Sequence, residues 1–159
     1  MDALLELLQQ DARLSTAQLA ERLGRPETEV AALVADLEEK RAILGYHAVV
    51  DPERAGQRHV SALIEVKLTP ERDGGFDRLA QRIARFGQVR GCWLMSGGYD
   101  LAVLVEGEDL REVARFVSER LSTLDGVLST ATHFQLKVYK QSGFVAGESH
   151  ADERLADSP

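Results

Sequence analysis

From His59 onward the apolar residues follow two periods in a fixed order, and that order restricts the fold more than any single motif. Val60-Ser61-Ala62-Leu63-Ile64-Glu65-Val66-Lys67-Leu68 mixes an apolar run with alternation and stops at Thr69-Pro70, the pattern of a strand. Phe76, Leu79, Ile83 and Phe86, with Ala80 and Ala84 filling the stripe, predict a helix that Gly87 ends. Val89–Ser96 and Asp100–Glu106 read as two further strands, joined tightly at Gly97-Gly98-Tyr99. Leu110, Val113, Ala114, Val117 and Leu121 form a second helical stripe, and Gly126 precedes a last strand running from Val127 to about Val138. The order β-α-β-β-α-β predicts a split βαβ, ferredoxin-like sheet with both helices on one face. The other face is left free, so a homo-oligomer is the default expectation.

The first third of the chain has a different texture. Ala3-Leu4-Leu5-Glu6-Leu7-Leu8 is a helix-forming run that ends at Gln9-Gln10-Asp11. Ser15 with Gln18 three residues on has the spacing of a capping box, and Leu19, Ala20 and Leu23 supply one apolar stripe before Gly24. After Gly24-Arg25-Pro26, Val30, Leu33, Val34 and Leu37 lie at i, i+3, i+4 and i+7 within Glu27–Lys40, one face of an amphipathic helix. A short helix, a glycine turn and a longer helix make a helix-turn-helix. The stretch from Ala42 to Val50 is apolar and β-prone and reads as a short strand or wing, closed by Asp51-Pro52. The expected fold class is α+β: a winged helix-turn-helix over 1–50, a linker over 51–58, a ferredoxin-like domain over 59–141 and a tail over 142–159. That tail is rich in Gly, Ser, Ala and acids and is expected to be disordered.

Charge and cysteine content narrow the chemistry. The 159 residues carry a formal charge of −7, distributed as −5 over residues 1–51 and −2 over the rest. Charge alone therefore speaks against a polyanionic partner. Cys92 is the single cysteine and the four His have no ligand spacing, so neither a disulfide nor a metal is indicated. No apolar run approaches the roughly 20 residues a membrane helix needs, and MDALLELLQQD lacks the basic start of a signal peptide. A soluble, cytoplasmic chain with no membrane partner is the expectation. No phosphate-binding glycine loop, nucleophile elbow or paired-carboxylate motif appears, so no catalytic residue is assigned.

Five local strings occur in a telling order: LLQQDARLS at 7–15, LAERLG at 19–24, LEEKRAILGY at 37–46, SGGYD at 96–100 and LDGVLSTAT at 124–132. Together with the element order they resemble the Lrp/AsnC, or feast/famine, family of transcriptional regulators over roughly residues 2–141. The resemblance implies an N-terminal DNA-binding domain and a C-terminal domain for effector binding and oligomerisation. It implies dimers formed through the sheets, dimers associating into rings of eight, and an amino-acid effector bound between dimers. By position it points to Ser96, Gly98, Tyr99 and Asp100 with Thr130, Thr132 and His133. The chemistry suits an amino acid: its ammonium needs a carboxylate, its carboxylate needs N–H or hydroxyl donors, and glycine admits close backbone approach. Alternatively, SGGYD simply turns the hairpin, and the two threonines share a face because the strand period is two.

The chain departs from the family at the presumed recognition helix. Glu27–Lys40 offers five acids, one terminal base, and Ala31, Ala32 and Ala35 where the family places hydroxyl and basic side chains. The alanines can make only apolar contacts, for example with thymine methyls, while Glu27 or Glu29 can accept from a cytosine amine. The remaining candidates for double-stranded DNA are Arg13, Arg22, Arg25, Thr28, Lys40 and Arg41, with ordinary solvated surface the preferred alternative for Arg22, Lys40 and Arg41. Low intrinsic affinity, raised by several dimers acting together, is the expected regime. Two other functions compete. One is an amino-acid sensor, or a mixed-oligomer partner of a more basic paralogue, with weak or lost DNA binding. The other is an enzyme like the sirohaem decarboxylases that resemble this family. Trp93 and Phe134 are expected in the sheet core or a dimer contact, and Cys92 in packing.

Overall fold

The capping box expected at Ser15 is formed. Its hydroxyl accepts from the Gln18 backbone N–H at 3.2 Å, and the Gln18 side chain accepts from the Ser15 N–H at 2.8 Å. These bonds satisfy amides that have no partner within the helix. The computed structural model describes residues 3–70 and 75–147. It divides into two units, Met1–Val49 and Val50–Pro159.

In the first unit, α1 (Ala3–Gln10), α2 (Thr16–Leu23) and α3 (Glu27–Glu39) close over Leu4, Leu19, Ala20 and Val30, with Leu7, Leu33, Val34 and Leu37 packed at the margin. Gly24 ends α2 at φ 62°, a left-handed conformation that costs glycine little. Because this core is small, the cap matters. Ser15→Ala should lower the thermal stability of the unit by about 1 kcal/mol, measured by chemical denaturation, while Ser15→Asp should retain it.

The expected strand over Ala42–Val50 is absent. Ala42 and Ile43 donate to the Leu37 carbonyl at 2.9 and 3.1 Å, and residues 44–50 then run on without pairing to any strand among the described residues. Composition supplied β propensity, but a strand also needs a neighbour to receive its N–H and C=O groups. Leu44 is left 77% exposed. Tyr46 is tied back by donating its hydroxyl to Glu38 Oε1 at 2.9 Å. Partial desolvation, with the neighbouring carboxylate, raises its phenol above the ordinary value.

The second unit is a four-stranded antiparallel sheet in the order β2-β3-β1-β4, formed by β1 (Val60–Leu68), β2 (Val89–Leu94), β3 (Leu101–Gly107) and β4 (Val127–Phe134). Register sets the core. Ala62, Ile64 and Val66 of β1 lie opposite Val105, Val103 and Leu101 of β3, so one face of the centre is continuously aliphatic. Over it pack α4 (Gly75–Ile83) and α5 (Leu110–Phe116), the latter continued by a π-helical turn, Val117–Leu121. Phe86, in the turn after α4, and Phe116 of α5 meet edge to face at 5.4 Å. The predicted stripe on the second helix is rotated in register: Val113, Phe116, Val117, Leu121 and Leu124 are buried, whereas Leu110 and Ala114 are exposed. The π turn, closed by Ser122 N–H donating to the Val117 carbonyl at 2.8 Å, keeps Leu121 on the buried side.

Cys92 packs against α4, its Sγ 3.9 Å from the Ala80 carbonyl oxygen, and burial raises its thiol pKa. Phe134 packs on the same core. The 51–58 linker is a run of turns in which the Asp51 carboxylate accepts from the Glu53 and Arg54 N–H groups. The last strand stops at Phe134 rather than near Val138. Beyond it, β5 (Lys140–Gln141) and β6 (Phe144–Val145) form a small hairpin turned by Ser142 and Gly143 at φ 47° and 91°. Residues 142–147, expected in a structureless tail, thus form its turn and second arm, and Gly147 accepts from Arg54 Nη2 at 2.7 Å. The remainder of that tail lies outside the described residues. Among those described, no helix is long and apolar enough to cross a membrane.

Candidate nucleic-acid interface and effector site

The outward face of α3 follows from its inward one. With Val30 buried and Leu33, Val34 and Leu37 half-buried, helical spacing leaves Thr28, Ala31, Ala32 and Ala35 exposed in one stripe. This smooth strip is flanked by the cations expected at DNA. Arg25 lies before the first turn and is paired with Glu29 at 3.2 Å, while Lys40 follows the last turn and is paired with Asp36 at 2.7 Å. The two ends are separated by a helix of 13 residues, about 20 Å. Arg13, Arg22 and Arg41 are exposed, and among the described residues no ion pair holds them. The helix therefore answers its own flanking cations with its own acids. Exposed pairs of this spacing are worth only about 0.3–0.5 kcal/mol. A phosphate can displace either carboxylate cheaply, but the displaced charge then stays beside the phosphate.

At the other candidate site, Asp100 is already engaged by the backbone. Its Oδ2 accepts from the Leu68 N–H at 2.7 Å, where the β1–β4 register shifts, and its own N–H donates to the Val66 carbonyl at 3.0 Å. The Asp100 carbonyl accepts from the Met95 N–H at 2.8 Å, so the β2–β3 connection spans 95–100, wider than the turn predicted. Gly97 sits at φ 127° and needs its glycine, whereas a Cβ at Gly98 would meet nothing within 4 Å.

Thr130 lies directly opposite Val66, and its Oγ1 is 3.2 Å from the Ser122 hydroxyl; Thr132 lies opposite Ile64. Asp100 and Thr130 thus flank the same β1 residue from its two sides, about two strand spacings apart, roughly 10 Å. Ser96, Gly98 and Tyr99 belong to the adjoining loop. His133 is separated from this group: it pairs with Leu63 on the opposite face and holds Glu65 at 3.3 Å. Adjacent residues of a strand point to opposite faces, so Thr132 and His133 cannot line one side of a site within a single chain.

The face turned away from the helices was not resolved by reading composition. Gly91, Trp93, Ala102, Leu104, Leu63 and Ala131 share it, with Glu65–His133 and Arg90–Glu106, the latter at 2.8 Å, at its polar positions. Trp93 is 50% exposed there. Its indole lies over Gly91, where a Cβ would come within 2.1 Å of the ring. The alternation in each strand was the signal that could have identified this face.

Residues 61–145 match the model of the Lrp/AsnC ligand binding domain, and residues 3–43 match a winged helix-turn-helix DNA-binding model. The chain belongs to the Lrp/AsnC family of transcriptional regulators. It is 44% identical over 157 residues, covering 98% of this chain and 95% of its relative, to the uncharacterized HTH-type transcriptional regulator YugG of Bacillus subtilis (strain 168). Among solved structures, MtbAldR superposes with a TM-score of 0.74 at 25% identity, covering 87% of this chain and 92% of that one. The complex of transcriptional regulator NMB0573 from Neisseria meningitidis with L-Met gives 0.69 at 22% identity, covering 96% and 95%. These relatives are regulators, and the decarboxylase alternative falls with that finding.

Proposed function

We propose that this regulator binds double-stranded DNA as a homo-oligomer and that an amino acid, bound at the sheet end formed by Ser96, Gly98, Tyr99, Asp100, Thr130 and Thr132, biases the assembly. The observation that carries the effector site is the convergence of Asp100 and Thr130 on Val66. One carboxylate oxygen of Asp100 is spent on Leu68, which leaves the other for a ligand ammonium. The neighbouring L-Met complex supports the ligand class. His133, on the uncovered sheet face, reaches this site only from a second copy. Arg13, Arg22, Arg25, Thr28, Lys40 and Arg41 are the phosphate contacts, and the uncovered sheet face is the dimer surface, with rings of eight as the higher assembly.

The test is binding of the chain's own upstream DNA against random duplex, at low salt, with a panel of amino acids. Equal affinity for both duplexes under every condition would sink the reading. Asp100 offers a sharper check. Asp100→Asn keeps an acceptor for the Leu68 N–H but loses the charge, so the effector should bind about tenfold more weakly with stability little changed. Asp100→Ala leaves the Leu68 N–H unsatisfied and should also cost about 1–3 kcal/mol in denaturant unfolding. The pairing of Arg25 and Lys40 by α3 acids favours the second reading, a sensor or mixed-oligomer partner of a more basic paralogue; co-purification of homo-oligomers alone, with specific DNA binding, removes it.

A further inference from the structure

The open groove between α4 and the π turn has a volume of about 420 Å³, and three arginines, Arg82, Arg85 and Arg120, line it. Its floor is apolar, from Phe86 and Leu124, and Glu119 and Asp125 also line it. Arg25, Arg54 and Arg90 elsewhere each meet a carboxylate. In the groove, by contrast, three arginines and two carboxylates share one concavity, and among the described residues no ion pair joins any of them. Neither edge of the arrangement is spent on the fold. Thr123, also in the lining, gives its hydroxyl to the Glu119 and Arg120 carbonyls and has no donor to spare.

We propose that this groove is a second ligand site, separate from the loop at Ser96–Asp100, and that it takes a small amino acid bearing an acidic side chain. The volume lies in the range of small-molecule sites, roughly 300–1,000 Å³. Two carboxylates can each engage a planar guanidinium in bidentate fashion, which Arg presents better than any other side chain. The ligand ammonium has Glu119 and Asp125. The net charges also match: three cations against two anions leave the groove at +1, and a dicarboxylic amino acid carries −1. A bare phosphate satisfies the arginines but faces both carboxylates with no cation of its own.

The experiment titrates the full chain with L-glutamate, L-leucine, glutarate and pyrophosphate at constant ionic strength, following heat and unfolding midpoint. It is run in the Asp100→Asn background so that the loop site adds little. A saturable response to L-glutamate is expected, weaker for glutarate, and absent for leucine. Arg85→Gln/Arg120→Gln should weaken glutamate binding about 100-fold, since each charge-assisted bond is worth a factor of ten or more. Glu119→Gln should weaken glutamate but tighten glutarate, which has no cation to meet that carboxylate. The lysine pair Arg85→Lys/Arg120→Lys, equally exposed and equally charged, should recover part of the affinity. No saturable response to glutamate, an undiminished one in the double glutamine variant, or tighter binding of pyrophosphate than of glutamate overturns the proposal. The DNA reading has a separate readout in the duplex assay, so either can fail alone.

Discussion

Replacing Trp93 by glutamate should convert the assembly to monomers at concentrations where the unaltered chain is associated. The indole is half-exposed and lies over Gly91 on the edge strand β2, on the face that the helices do not cover. On the same face Leu63 is 36% exposed and Leu104 partly exposed, while Ala102 is already buried. Truncating a large aromatic anchor of an interface costs about 2–4 kcal/mol, a 30- to 1,000-fold change in dissociation. Glutamate adds a charge that a second copy, approaching by a two-fold axis, would meet with its own identical charge. Sedimentation velocity reads the result directly. Because Trp93 is not in the helix-covered core, the far-ultraviolet circular dichroism spectrum of the monomer should stay that of the parent. Loss of the fold together with the assembly would show that Trp93 serves the chain's own packing, and an unchanged oligomer would place the interface elsewhere.

The second large effect belongs to α3. Glu29→Gln combined with Asp36→Asn removes the carboxylates that hold Arg25 and Lys40, at 3.2 and 2.7 Å. Each freed cation can take a phosphate. The slope of log affinity against log salt should steepen by about 0.9 per freed cation in each subunit, and binding near 50 mM salt should tighten at least tenfold. The gain should be shared by random duplex, since phosphate contacts position the protein without reading bases. Stability should change by only a few tenths of a kcal/mol, because exposed helix pairs contribute little. Fluorescence anisotropy across about 50–200 mM salt, with both duplexes, measures affinity and slope together. An unaltered slope would mean that Arg25 and Lys40 face away from the phosphates. In that case Arg13, Arg22 and Arg41, which no described acid holds, carry the contact instead.

Much of the architecture was legible because apolar period and punctuation coincide. Ser15 and Gly24 bound α2 where residue chemistry demands it, and the apolar run that ends at Thr69-Pro70 is the strand β1. Three features were not legible, each because it depends on a partner distant in the chain. Residues 44–50 have the composition of a strand, yet among the described residues no strand lies beside them to complete the ladder. The carboxylate of Asp100 looked free for a ligand until its bond to Leu68, 32 positions away, was known. The family resemblance grouped Thr132 and His133 by position, and the pleat sends them to opposite faces. The acids of α3 stand out in the sequence as an excess of charge, but that Glu29 and Asp36, by their spacing of four, pair with Arg25 and Lys40 is seen only in the structure.

The contact between Gly91 and the Trp93 ring couples two positions, because a side chain at 91 requires the indole to move. A first mutation giving any side chain at 91 must displace the indole, and a first mutation shrinking 93 leaves bare backbone where the ring had been a lid. Descendants of this chain that keep the tryptophan should therefore keep the glycine. A library randomised at the two codons and selected for assembly should return that joint pattern, with glycine at 91 dispensable only in clones whose residue at 93 is small.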